Sequence, residues 1–250
     1  MEVHAHTHTP RKKWTHYLWE FLMMFLAVFC GFLAENQREH MVEHQREKVF
    51  AKFLYDDLKK DSADLHRVIM IKQTRNRKLD SLVYFLSLSD VGKQANAIYY
   101  YSSFLYVNIP FTNNDATIQQ LRSSGTLRYF KNPKLYNAIT QYYTDCKFYL
   151  ERENENEKKN IFSDELHASL FDANDFASVT TITPDIMDAV QYPGKESHLL
   201  STDKKLVNQL LHCVNSNKKA NELSIMLLQT FIADELDRLI MTLKKEYYLE

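Results

Sequence analysis

Glycine and proline are scarce in this sequence, with four and five in 250 residues. All-β domains spend both freely on turns, so the shortage excludes them and predicts a mainly α protein. The three cysteines are too few for a disulfide framework. Cys30 lies in an apolar run, which leaves Cys146 and Cys213 either as one bridge in an oxidising compartment or as two isolated core thiols. Excess charge is missing too. The formal net charge is −1, and no basic stripe with interleaved aromatics occurs, so no nucleic-acid partner is expected. No G-x-S-x-G, P-loop, dinucleotide fingerprint or C-x-x-C is present; neither an enzyme nor a cofactor is expected.

What is present is one long uncharged stretch, Phe21 to Ala34. Its 14 residues fall short of the roughly 20 that cross about 30 Å of hydrocarbon. Trp14, Tyr17 and Trp19 extend it as an aromatic belt, and the span from Trp14 to Ala34 then reaches about 31 Å at about 1.5 Å per residue. Glu20 is the one ionised group inside, one turn from the belt, where it can reach the headgroups or take a proton. Cleavage as a signal peptide is not expected, because Phe32 and Leu33 occupy the neighbourhood where small residues are needed. Phe29 argues likewise against lipidation at Cys30. Arg11, Lys12 and Lys13 precede the span, whereas basic and acidic side chains are mixed from Glu35 to Lys48. The positive-inside rule therefore puts the N-terminus in the cytoplasm, the span in the inner (cytoplasmic) membrane, and the C-terminal domain in the periplasm. Only about 16 residues are left on the cytoplasmic side, which disfavours a folded signalling output there.

Beyond the span the chain is 216 residues long. With 45% hydrophobic and 25% charged residues overall, it has the composition of a globular domain with a core of its own. The expected architecture is one N-terminal transmembrane helix continuing into a long amphipathic stalk and a helical bundle. The expected segments are a flexible His-rich tail over 1–13, the transmembrane helix over 14–36, a helical stalk over 37–90, and a bundle domain over 91–250 with a loop at 172–201. In the stalk Val42, Val49, Phe53 and Leu54 recur at helical spacing, and Asp61 to Asp64 could start a second helix. Ala95 to Val107 fits a helix despite its aromatics. Asn113-Asn-Asp115 caps a short helix over 116–124 that Gly125 stops, and Asn132-Pro133 starts another. That helix runs into Glu151 to Lys159, a charged segment expected to be solvated. Thr180 to Thr183, Pro184 and Pro193-Gly194 mark the loop, and a final helix begins at Thr202.

The sharpest chemical motif is His40-Met-Val-Glu43-His44, an H-x-x-E-H pattern. One helical turn places His40 and His44 on one face, where they could hold zinc with Glu43 as base or ligand. A peptidase would need a third ligand and a mixed α/β cleft, so a solvated helix face is the competing reading. His4, His6 and His8 could bind a transition metal weakly on an extended chain. The tyrosines Tyr99, Tyr100, Tyr101, Tyr106, Tyr136, Tyr142, Tyr143 and Tyr149 could line a pocket, but their spacing favours core and subunit packing.

Three stretches carry a resemblance. MEVHAHTH with FLMMFLAVFCGFLAENQREH, the segment Asn114-Asp-Ala-Thr-Ile-Gln-Gln-Leu-Arg-Ser-Ser-Gly-Thr-Leu-Arg128, and the closing Lys244-Lys-Glu-Tyr-Tyr-Leu-Glu250 resemble a family of single-span bacterial membrane proteins without an assigned activity. The resemblance covers the whole chain and implies membrane anchoring. The expected partners are thus the lipid bilayer and further copies of the chain or a membrane protein complex, with an oligomeric scaffold or partner-binding module as the expected role. The alternative is an oligomeric pore or channel accessory, in which rings of Glu20 and Glu35 would favour cations.

Overall fold

The computed structural model describes residues 13–158, 161–179 and 188–249. His4, His6, His8, Lys159, Thr180 to Thr183 and Pro184 lie outside them. Among the described residues the chain is helical without strands, as expected, apart from one isolated bridge between Phe171 and Leu199. The elements are α1 (Trp14–Leu86), α2 (Ala95–Ser102), α3 (Ala116–Ser123), α4 (Pro133–Lys158), α5 (Ile161–Leu170), α6 (Ala173–Ala177), α7 (Lys204–Leu227) and α8 (Asp234–Tyr247). A π-helical turn, Leu228–Ala233, joins α7 to α8.

The chain divides into two units, residues 1–50 and 51–250. In the first, α1 is exposed on every side from Trp14 to His40. Phe21, Phe25 and Phe29 stack in an i, i+4 ladder with centroids 6.3 and 6.0 Å apart. No apolar stripe is turned inward, unlike the helix of a soluble core.

The second unit begins at Ala51 rather than near 91, because the latter part of the expected stalk is itself a core helix. A seam of buried positions runs through Ala51, Leu54, Leu58, Asp61, Leu65, Val68, Lys72, Arg75, Leu79, Leu82 and Leu86, with Tyr55 and Ile71 buried beside it. The steps along the seam alternate three and four without a break, a 3.5-residue repeat of the coiled-coil kind. Val49 and Phe53, expected on the apolar face, are exposed. The helix does not restart at Asp61, whose carboxylate turns into the core instead. Residues 37–86 are therefore one helix.

Other local expectations meet the structure unevenly. Gly125 adopts the left-handed conformation (φ 68°) that stops α3. Asp115 stands at the N-cap of α3 without capping it, and its carboxylate accepts from Gln119. Asn132 caps α4 through Lys134 N at 3.0 Å. The loop over 172–201 contains α6, capped by Asp172. It is strapped to α2: Tyr99 Oη accepts from Asp172 N at 2.8 Å and donates to His198 O at 3.0 Å, while Asn96 holds the backbone of Lys195 and Ser197. Cys146 and Cys213 are both buried free thiols, so no bridge joins them.

The seam makes a contrast between two neighbouring side chains. Val68→Ala removes buried methyl groups and is expected to cost about 1–3 kcal/mol, whereas Met70→Ala on the exposed face should stay within about 0.5 kcal/mol. Chemical denaturation of the full chain reads both; equal effects would place the seam elsewhere.

Candidate functional site

Three of the seam positions of α1 are charged: Asp61, Lys72 and Arg75. Each is satisfied by partners distant in sequence. Asp61 Oδ1 accepts from Asn114 N at 2.7 Å, and its Oδ2 accepts from Tyr142 Oη on α4 at 2.7 Å. One turn earlier Asp57 accepts from Thr117 Oγ1 on α3 at 2.6 Å. Burial raises the Asp61 carboxyl above its ordinary value, opposed by the donors from Asn114 and Tyr142.

Lys72 is 2% exposed and its Nζ donates to Glu153 Oε2 on α4 at 2.7 Å. Glu153, in the segment expected to be solvated, is buried. The reason is its register: Leu135, Ile139, Tyr142, Cys146, Tyr149 and Glu153 form the buried face of α4 with the same alternation of four and three. Arg75 donates Nε to Phe104 O at 2.9 Å and a terminal nitrogen to Leu105 O at 3.0 Å. It thereby supplies a cation to the carbonyl end of the helical stretch that begins with α2. Asn221 of α7 closes the set by donating to Lys72 O and Asn76 Oδ1, both at 2.8 Å. Desolvation lowers Lys72, and takes Arg75 down to about 10, both against the pull of Glu153. Chemically this cluster is a clasp. Lys72 has no route to a substrate, because its amine is spent on Glu153 and sealed from solvent.

Next to the clasp lies a groove. Tyr149, one turn before Glu153, hydrogen-bonds Ser224 of α7 at 3.3 Å and forms part of the groove wall. The remaining lining is Asp145, Phe148, Leu227, Phe231 and Ile232, around a cavity of about 170 Å³. The C-terminal helices explain why it is open. Val207, Leu210, Val214, Asn217, Asn221, Ser224 and Leu228 continue the alternation of three and four, and the next seam position would be Phe231. The buried residues are instead Ile232, Leu236, Leu239 and Leu243. One extra residue has entered the repeat, and the π turn over Leu228–Ala233 absorbs it. Phe231 is displaced from the seam and left 54% exposed, opposite Phe148 at 57%.

The residues singled out in the sequence sit elsewhere. His40, Glu43 and His44 lie on α1, where His40 Nδ1 is 3.6 Å from Glu43 and His44 Nδ1 is 3.1 Å from Glu47. The two histidines thus pair with different carboxylates. Among the described residues no group of three or more His, Cys, Asp or Glu side chains is gathered to hold a metal ion. Glu20 is 3.0 Å from His16, and Glu35 is engaged bidentately by Arg38. Of the tyrosines, Tyr99, Tyr142, Tyr143 and Tyr149 are core residues, while Tyr106 and Tyr136 are exposed. Lys72, Arg75, Glu153 and Phe231 were not singled out by motif or composition. For Lys72 and Arg75 the unbroken spacing of α1 from Ala51 to Leu86 was the available signal, and for Glu153 the spacing of α4 from Leu135.

Removing one partner of the clasp should expose its strength. Lys72→Met leaves a buried carboxylate and is expected to cost about 3–5 kcal/mol; adding Glu153→Leu should recover most of it, as a double-mutant cycle in denaturant will read. High pH is a second probe. Burial pushes the phenols of Tyr142, Tyr143 and Tyr149 well up and the Cys146 thiol up to about 12. A raised pKa gives stability that is complete below the unfolded value and lost above it, here from about 9 for the thiol and about 10 for the phenols. Lys72 and Arg75, being lowered, act with the opposite sign, but these four acids outnumber them. Stability should fall above about pH 9–10, and the buried phenols should ionise only together with loss of helical signal; their ionisation in the folded chain would refute the assignment.

No protein-family model, no curated protein and no solved structure matches this chain.

Proposed function

We propose that this chain is a non-enzymatic, membrane-anchored helical protein that acts as an oligomeric scaffold or partner-binding module. The observation that carries the reading is the first part of α1. It is long and apolar enough to cross a membrane, and none of its apolar stretch is buried. Trp14 is 78% exposed, and Phe21, Met23, Met24, Val28 and Phe32 are exposed as well. At about 25 cal/mol per Å² of apolar surface, leaving such a helix in water costs many kcal/mol, and lipid removes that cost. The basic residues Arg11, Lys12 and Lys13 favour a cytoplasmic N-terminus in an inner membrane, with residues 51–250 on the periplasmic side. The resemblance to single-span bacterial membrane proteins agrees with this placement. Lys72 and Glu153 satisfy each other, which supports a structural role for this pair.

Carbonate washing of membranes should leave the full chain in the pellet, whereas deletion of residues 14–34 should release it. A phosphatase fused after Glu250 should be active only outside the cytoplasm. The mass of the detergent-solubilised chain should be that of a fixed oligomer across protein concentrations. Release of the full chain by carbonate would end the anchor reading, and a monomer that captures no partner would end the scaffold reading.

A further inference from the structure

The groove between α4 and the π turn has three properties that together define a ligand. Its size comes first. A volume of about 170 Å³ is comparable with an engineered apolar cavity of about 150 Å³ that stays dry and takes up benzene. The second is the lining, in which Leu227, Ile232 and three aromatic residues present an apolar surface to whatever enters. The third is charge. Asp145 is the one carboxylate of the lining, and it accepts a hydrogen bond from Gln141 Nε2 at 2.9 Å, a neutral donor rather than a cation. A carboxylate beside exposed phenyl groups is the chemistry that attracts an ammonium, through Coulomb attraction and cation–π contact alike. An anionic ligand would meet Asp145 as a like charge.

The groove is not an accident of loose packing. The extra residue in the α7–α8 repeat removes Phe231 from the seam, and α4 brings Phe148 to the facing wall. The floor is fixed, because Tyr149 is buried and bonded to Ser224. A floor held in place in this way lowers the ordering cost of binding.

We propose that this groove is a binding site for an organic ammonium ion that carries a compact apolar group. The apolar group sits among Phe148, Tyr149, Leu227, Phe231 and Ile232, and the ammonium sits at Asp145. The inference does not rest on the membrane reading, since all of these residues belong to the 51–250 unit.

Three probes of one size separate the contributions: phenethylamine, 2-phenylethanol and phenylacetate, titrated calorimetrically into the full chain in lipid nanodiscs with empty nanodiscs subtracted. The amine is expected to bind at least fivefold more tightly than the alcohol, and the acid more weakly than either. Asp145→Asn should abolish the preference of amine over alcohol while leaving the alcohol's affinity unchanged. Leu227→Trp, which fills the cavity from a partly exposed position, should weaken the amine at least tenfold, with circular dichroism confirming that both variants fold. Equal affinity for the three probes, an amine preference that survives Asp145→Asn, or no binding of the amine by the folded chain would overturn the proposal.

Discussion

The contact between Lys72 and Glu153 constrains the rest of the 51–250 unit. Each charge loses several kcal/mol of hydration on burial, and only a well-made pair with further hydrogen bonds offsets it. Sliding α4 by one seam position toward the start of α1 would put Glu153 opposite Val68 and take Lys72 from its carboxylate, at a cost of about 3–5 kcal/mol. That is a large share of a typical domain's stability of about 5–15 kcal/mol. Aliphatic seams tolerate such slips far better, since Leu against Leu looks much the same one step along. Arg75 and Asp61 fix two further elements by the same logic. Arg75 fits only where the carbonyls of Phe104 and Leu105 end a helical stretch, and Asp61 fits only where Asn114 and Tyr142 point at it. The polar seam positions therefore set register, and the aliphatic ones supply the burial.

The C-terminal helices solve a related problem differently. A strict repeat would bury Phe231, but the residues that follow fit the core one position later. A π turn accommodates the offset without breaking the helix, and the displaced ring becomes a surface feature. Tyr149 connects the two places physically. Its ring walls the groove, its hydroxyl meets Ser224, and one turn on lies Glu153. The buried clasp thus stands one helical turn from the groove.

The first part of α1 follows other rules. Its residues have no inward face, so packing within the chain cannot explain them, and a solvent of low polarity can. Aromatic residues near Trp14 and charged residues after Ala34 bracket the apolar run at the two ends where a bilayer would have its interfaces.

Local chemistry made much of this legible in advance. Few glycines and prolines meant helices, the uncharged run meant a segment unlike the rest, and Gly125 and Asn132-Pro133 marked real helix ends. Expectations that needed a partner went astray. Asp61 reads as a cap because aspartate often is one, yet its carboxylate is claimed by Asn114 and Tyr142, distant in sequence. Glu153 reads as solvated among Glu151, Asn154 and Glu155, yet it alone lies on the buried face. The stalk reads as running to residue 90 because amphipathic periodicity is the same for a helix facing one neighbour or several. Sequence by itself determined the helical class, the apolar segment and the 3.5-residue spacing, since these depend on residues close along the chain. Only the tertiary structure decided which charges are buried, where the core unit begins and that Phe231 opens a groove, because each depends on which distant side chain stands opposite.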